Sequence, residues 1–126
     1  KMSDEDLALL RPEESVQSIA HEVLDNGRTR LVVVTRGGEG ALGFTAQGGA
    51  EVVAPRTDVV DTVGAGDSFM AALIAVLLDW GSPAELSAER LRVLLESAAR
   101  AAAVTVGRRG ANPPTRAELP AGWGES

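Results

Sequence analysis

Asp61-Thr62-Val63-Gly64-Ala65-Gly66-Asp67-Ser68, followed at once by the longest apolar run of the chain, Phe69 to Leu78, is the stretch that decides the fold. Three small residues and an acid at the mouth of a helix have a specific physical use. With minimal side chains, the backbone amides of Gly64, Ala65 and Gly66 can turn toward one point. The first turn of a helix adds unpaired N–H groups and the positive end of the helix dipole. Together these features predict an anion site suited to phosphate. Asp67 would repel such a ligand, so its place there makes sense if it takes a proton from a hydroxyl attacking phosphorus. Read alone, G-x-G-D is better taken as a glycine-rich turn whose Asp caps a helix.

The ten-residue apolar run is too short to span a bilayer and fits a buried helix, expected from about Gly66 to Asp79 and closed by Trp80-Gly81. Apolar on most faces, it should be central. Upstream, Leu31-Val32-Val33-Val34-Thr35 is a β-branched run that reads as a strand buried on both faces. Two short apolar segments around Gln47-Gly48-Gly49 read as a β-hairpin. Gly38-x-Gly40-x-x-Gly43 follows a strand but leads into that hairpin rather than a helix, so the dinucleotide fingerprint fails on context.

At the start of the chain, Ser3 with Asp6 reads as a capping box for a short helix ended by Arg11-Pro12. Pro12 then opens a second helix, with Glu13 and Glu14 in its first turn. That helix carries the stripe Val16, Ile19, Ala20, Val23, Leu24 and closes at Asn26-Gly27. His21, off that stripe, reads as a surface histidine. Ser82-Pro83-Ala84-Glu85 suggests another capping box, ahead of an alanine-rich helix from about Ala88 to Val106. Trp80 reads as a core or interface anchor. Arg108-Arg109 reads as a solvated pair, Thr115–Leu119 as a turn of helix, and Pro120–Ser126 as a frayed tail.

Bulk properties narrow the field. The 126 residues make one domain's worth of chain, and a net charge of −6 argues against a generic nucleic-acid surface. Lys1 is the single lysine, which excludes the G-x-x-x-x-G-K-[ST] phosphate loop. There is no cysteine, so disulfides and thiolate metal sites are excluded, and a reducing, cytoplasmic setting fits. No signal peptide or membrane span is visible, and an opening Lys1-Met2 followed at once by helix suggests a chain that begins mid-protein.

The whole string from Asp61 to Ile74 resembles, at every position, the C-terminal signature of the ribokinase-like (PfkB) family of carbohydrate kinases. The resemblance covers most of the chain. It implies a three-layer α/β fold of which residues 1–126 form the C-terminal, nucleotide-binding and catalytic part: a parallel-type strand, a β-hairpin and packed helices. It also implies ATP-dependent phosphorylation of a sugar hydroxyl with Mg²⁺. Asp67 would be the general base and substrate contact, and the Gly64, Ala65 and Gly66 amides the anion hole.

Thr35-Arg36-Gly37-Gly38-Glu39-Gly40 is similar to the family's T-x-G-x-x-G nucleotide loop. This gives Thr35, Gly37 and Gly40, with Gly66 and Ala99, as expected nucleotide contacts. The alanine-rich helix would border the adenine pocket, where some members carry polar partners in place of Ala99. Gly110-Ala111 resembles the closing G-A loop. The resemblance groups Gly110 with Asp61, Val63 and Thr105 around a monovalent cation such as K⁺, although Pro114 stands where a small hydroxyl residue is usual.

The opening Lys1–Leu7 looks like a segment that fructokinases carry, so fructose is the first candidate acceptor, with ribose, other sugars and nucleosides open. Sugar and ATP are then the expected partners, with no nucleic acid and no membrane, and a homodimer of the full-length enzyme is compatible. The sugar-holding portion would lie outside this chain, which alone is expected to be inactive. A rival reading, a non-catalytic module that senses nucleotide or phosphate, keeps the glycines but has no use for Asp67.

Overall fold

The computed structural model describes residues 1–81 and 85–125. Strand β1 (Met2–Ser3) leads into α1 (Asp4–Leu10) and α2 (Val16–Asp25), followed by β2 (Val32–Thr35), β3 (Ala41–Thr45) and β4 (Gly48–Val52). Two long helices then follow, α3 (Ala65–Trp80) and α4 (Ala88–Val106). Among the described residues the four strands form one sheet in chain order, β2 parallel to β1 and antiparallel to β3, with β3 antiparallel to β4. The architecture is α/β in three layers, as expected.

Alternation along β2 builds the layers. Val32 and Val34 join Leu7, Ile19 and Ala20 in a core under α1 and α2. Val33, from the opposite face, joins Ala41, Val52 and the buried sides of α3 and α4. α4 lies directly on the hairpin because Gly43 has no side chain. A Cβ there would stand 2.9 Å from a Leu91 methyl carbon and 3.0 Å from one of Leu95. The third glycine of the apparent dinucleotide fingerprint is thus a helix–sheet packing glycine.

Several expectations are corrected. Strand β1 was not foreseen; two residues are too few to show a period. Pro12, Glu13 and Glu14 lie in a turn ahead of α2, whose cap is Ser15, accepting the amide of Ser18 at 3.0 Å. The hairpin turns at Ala46-Gln47, and Gly48 and Gly49 pair within β4 against Thr45 and Phe44. The cap of α4 is Ser87, accepting the amide of Arg90 at 3.2 Å. Of the capping box expected at 82–85, residues 82–84 lie outside the described residues, and Glu85 is not helical.

α3 is not buried all round. Ser68, Phe69, Ala72, Leu73 and Val76 are buried, whereas Met70, Ile74 and Leu78 form an exposed stripe. The C-terminal tail is not frayed but docked. The Trp123 indole donates to the Ser97 carbonyl (2.7 Å), and the Trp80 indole donates to that of Gly124 (2.8 Å). Two aromatic anchors hold the short tail against α3 and α4. Arg108 is not simply solvated, since it pairs with Glu118 at 2.7 Å. His21 is exposed, as expected, with its ring edge-on to Phe44.

Candidate active site

The mouth of α3 is set by Gly64, its cap residue, at φ 80°. Glycine is required there twice over. The left-handed conformation disfavours any Cβ, and a Cβ would meet that of Ala111 at 2.8 Å. The carbonyl of Gly64 accepts the Ser68 amide (2.9 Å), and the Ala65 amide turns back to Thr62 (3.3 Å). The amides of Gly66 and Asp67 have no backbone acceptor among the described residues. One of the three amides assigned to the anion hole is therefore engaged in the turn, while the Gly66 amide stands free for an anion. Asp67 is exposed in the first turn of α3.

A cavity of about 420 Å³ opens beside this mouth. Thr35, Gly37 and Gly40 line one side, Ala65 and Gly66 the helix mouth, and Ala99 with its α4 neighbours the far wall. All five residues expected to contact nucleotide, drawn from three separate segments, thus border one space. Gly64 and Asp67 adjoin it without lining it. The loop after β2 is a 3₁₀ turn, Gly37–Glu39, closed by Gly40 at φ 115°. A Cβ at Gly40 would lie 2.0 Å from the Val52 carbonyl oxygen, so only glycine lets the loop press against the end of β4. Arg36 ties the loop to the hairpin through Glu51 at 2.6 Å.

Three of the four residues assigned to the cation, Asp61, Val63 and Gly110, are linked through one carboxylate. The Asp61 carboxylate accepts the Val63 amide at 2.9 Å and the Gly110 amide at 3.0 Å. Those two hydrogen bonds, Val63 first and then Gly110, hold its carboxyl below the usual range. Thr105 is set apart by its side chain, whose buried hydroxyl accepts from that of Ser68 (2.6 Å) and donates to the Ala101 carbonyl (3.2 Å). Its own carbonyl accepts the Arg108 amide at 3.2 Å. Among the described residues no cluster of three His, Cys, Asp or Glu side chains could hold a metal ion.

Some site features escaped the sequence reading. Lys1, set aside because it opens the chain, reaches the helix mouth, its Nζ 3.3 Å from where a Gly66 Cβ would stand. The segment Ala54–Thr57 and Phe69 also line the cavity. The first is an irregular connection without periodicity, and the second reads from sequence as simple core. No helix among the described residues is long and apolar enough to cross a membrane.

The chain is similar to several known kinases. The fructokinase of Rhizobium leguminosarum bv. trifolii is 44% identical over 77 residues, covering 61% of this chain and 23% of that protein. The crystal structure of aminoimidazole riboside kinase from Salmonella enterica, complexed with aminoimidazole riboside and an ATP analogue, superposes with a TM-score of 0.69 at 31% identity. The match covers 87% of this chain and 36% of that one. Phosphofructokinase-2 of Escherichia coli in complex with potassium gives a TM-score of 0.72 at 26% identity, over 90% of this chain and 37% of that one. The chain thus spans between about a quarter and two fifths of the length of these relatives. The fold is ribokinase-like, and the pfkB family carbohydrate kinase profile matches residues 1–118, so the chain belongs to that family of carbohydrate kinases.

Proposed function

We propose that this chain is the nucleotide-binding and phosphoryl-transfer part of an ATP-dependent sugar kinase, fructose being the first candidate acceptor. One observation carries the reading: the T-x-G-x-x-G loop, the helix mouth and the alanine face of α4 border a single cavity. That cavity fits a nucleotide, with small-residue walls for a flat base and unpaired amides at a helix N-terminus for phosphate. ATP bound there would supply the γ-phosphoryl group.

Thr35, Gly37 and Gly40 hold the phosphate chain from one side, and the Gly66 amide with the helix dipole receives its negative charge from the other. Lys1 Nζ adds positive charge at the same mouth. Asp67, exposed beside the amides, takes the proton of the attacking sugar hydroxyl. Mg²⁺ bound with the nucleotide would take ligands from its phosphates, as this ion commonly does. For K⁺, the loops at 61–63 and 110–111 are pinned together by Asp61, while the Thr105 hydroxyl is committed to helix packing.

Asp67→Asn in the full-length protein separates this reading from a phosphate-sensing module. Asn keeps the shape and removes the proton acceptor, so kcat should fall by about 10²–10⁴ with nucleotide affinity equal or higher. Retained turnover would remove Asp67 as the base.

A further inference from the structure

The cavity wall formed by α4 is apolar along its length. Ala99, Ala102, Ala103 and Val106 fall at i, i+3, i+4 and i+7 on α4, one continuous face without a polar side-chain atom. Three carbonyls at this end of α4 are already committed. That of Ala103 accepts the Gly107 amide (3.2 Å), that of Thr105 the Arg108 amide (3.2 Å), and that of Val106 the amides of Val60 (2.8 Å) and Asp61 (3.1 Å). A base lying on this wall therefore meets methyl groups.

The polar side chains that do border the cavity are three threonines and Arg56. A hydroxyl donates or accepts as required, so Thr57 suits the amine of adenine and the carbonyl of guanine alike. Arg56 only donates, and both purines offer it an acceptor at N7. Among the described residues no carboxylate or carboxamide side chain lines the cavity. Rejection of a wrong base by factors of 10⁴ or more needs a buried polar group left unpaired by the wrong ligand, whereas apolar contact alone discriminates weakly.

We infer that this kinase takes its phosphoryl group from purine nucleoside triphosphates generally, because the α4 wall reads the shape of the base and not its hydrogen-bond pattern. The inference rests on the nucleotide reading above and deepens it by naming the donor class. Phosphate contacts then supply most of the affinity and are common to every such donor.

Calorimetric titration of the full-length protein with ADP and with GDP tests this without relying on turnover. Dissociation constants within about tenfold of each other are expected. A preference greater than tenfold for either base overturns the inference while leaving the nucleotide site in place. Failure to bind either nucleotide overturns the nucleotide reading itself, and this inference with it. Ala103→Leu gives a second readout, since it narrows the slot without adding a polar group. ADP and GDP should then weaken by the same factor, and loss confined to one of them would show that the wall does read base identity.

Discussion

The carboxylate of Asp61 accepts the amide of Gly110 at 3.0 Å across 49 residues of sequence, while its other oxygen accepts the amide of Val63 at 2.9 Å. This one side chain joins the loop entering α3 to the loop leaving α4. Val106, at the end of α4, reinforces the junction by accepting the amides of Val60 and Asp61. The position of the helix mouth therefore depends on a contact made well outside it. Asp61→Ala should lower both the thermal midpoint and ADP affinity, because two amides lose their acceptor and the loops separate. A variant with unchanged affinity would show that the mouth is held without Asp61.

Acid should loosen this junction and two ion pairs elsewhere. The carboxyls of Asp61, Asp79 and Glu118 are all held below their ordinary values, by the Val63 amide, the Arg116 guanidinium and the Thr115 amide respectively. A depressed folded-state pKa means that the unfolded chain binds protons first as pH falls. The stabilisation is thus complete above the ordinary carboxylate range and is lost as pH drops through the lower folded values. Thermal midpoints should hold near neutrality and decline below about pH 4. A midpoint flat down to pH 2 would contradict these assignments.

Two neighbouring glycines should fail in different ways. Gly64→Ala forces a Cβ into a left-handed conformation and to within 2.8 Å of the Ala111 Cβ, and should cost at least about 2 kcal/mol in urea denaturation. Gly66 has no positive φ, and a Cβ there meets only the flexible end of Lys1. Gly66→Ala should change stability by less than about 1 kcal/mol. It should nonetheless weaken ADP binding, because the new methyl stands where phosphate must approach an amide. Equal stability losses at the two sites would contradict this division.

Trp123→Ala should destabilise the chain by about 3 kcal/mol, the low end for a large aromatic because the ring is only half-buried. It removes the hydrogen bond to Ser97 and frees the tail that also holds Trp80. Proteolysis should then cut the tail after Leu119 faster than in the parent. Unchanged cleavage and stability would restore the frayed-tail reading.

The exposed stripe of Met70, Ile74 and Leu78 should make the 126-residue chain self-associate. Ile74→Glu is expected to reduce light scattering at high concentration, with stability altered by less than about 0.5 kcal/mol. A large stability loss would mean that the residue is packed after all.

The sequence alone made most of the elements legible, together with the residue types that border the candidate site. Ser3, the stripe from Val16 to Leu24, the β-branched run at 31–35 and the small residues at 64–66 each act over a few residues, through caps, periodicity and backbone freedom. Local causes of this kind are legible one segment at a time. The small-residue string before Asp67 also carried the family resemblance, which the profile match over residues 1–118 supports. Turn details were less legible, since Pro12 and Gln47-Gly48-Gly49 permit more than one register, and only strand pairing and the Ser15 cap select between them.

Tertiary structure decided everything that depends on distant segments meeting. It placed Thr35, Gly66 and Ala99 around one cavity, turned Asp61 into a clamp on Gly110, and brought Lys1 to Gly66. It also committed the Thr105 hydroxyl to Ser68 and docked Trp123 on Ser97. In each case a side chain could satisfy its hydrogen bonds or bury its surface in several ways. The choice was made by which partner the packing of α3 and α4 on the sheet delivered, and chain neighbours carry no record of that.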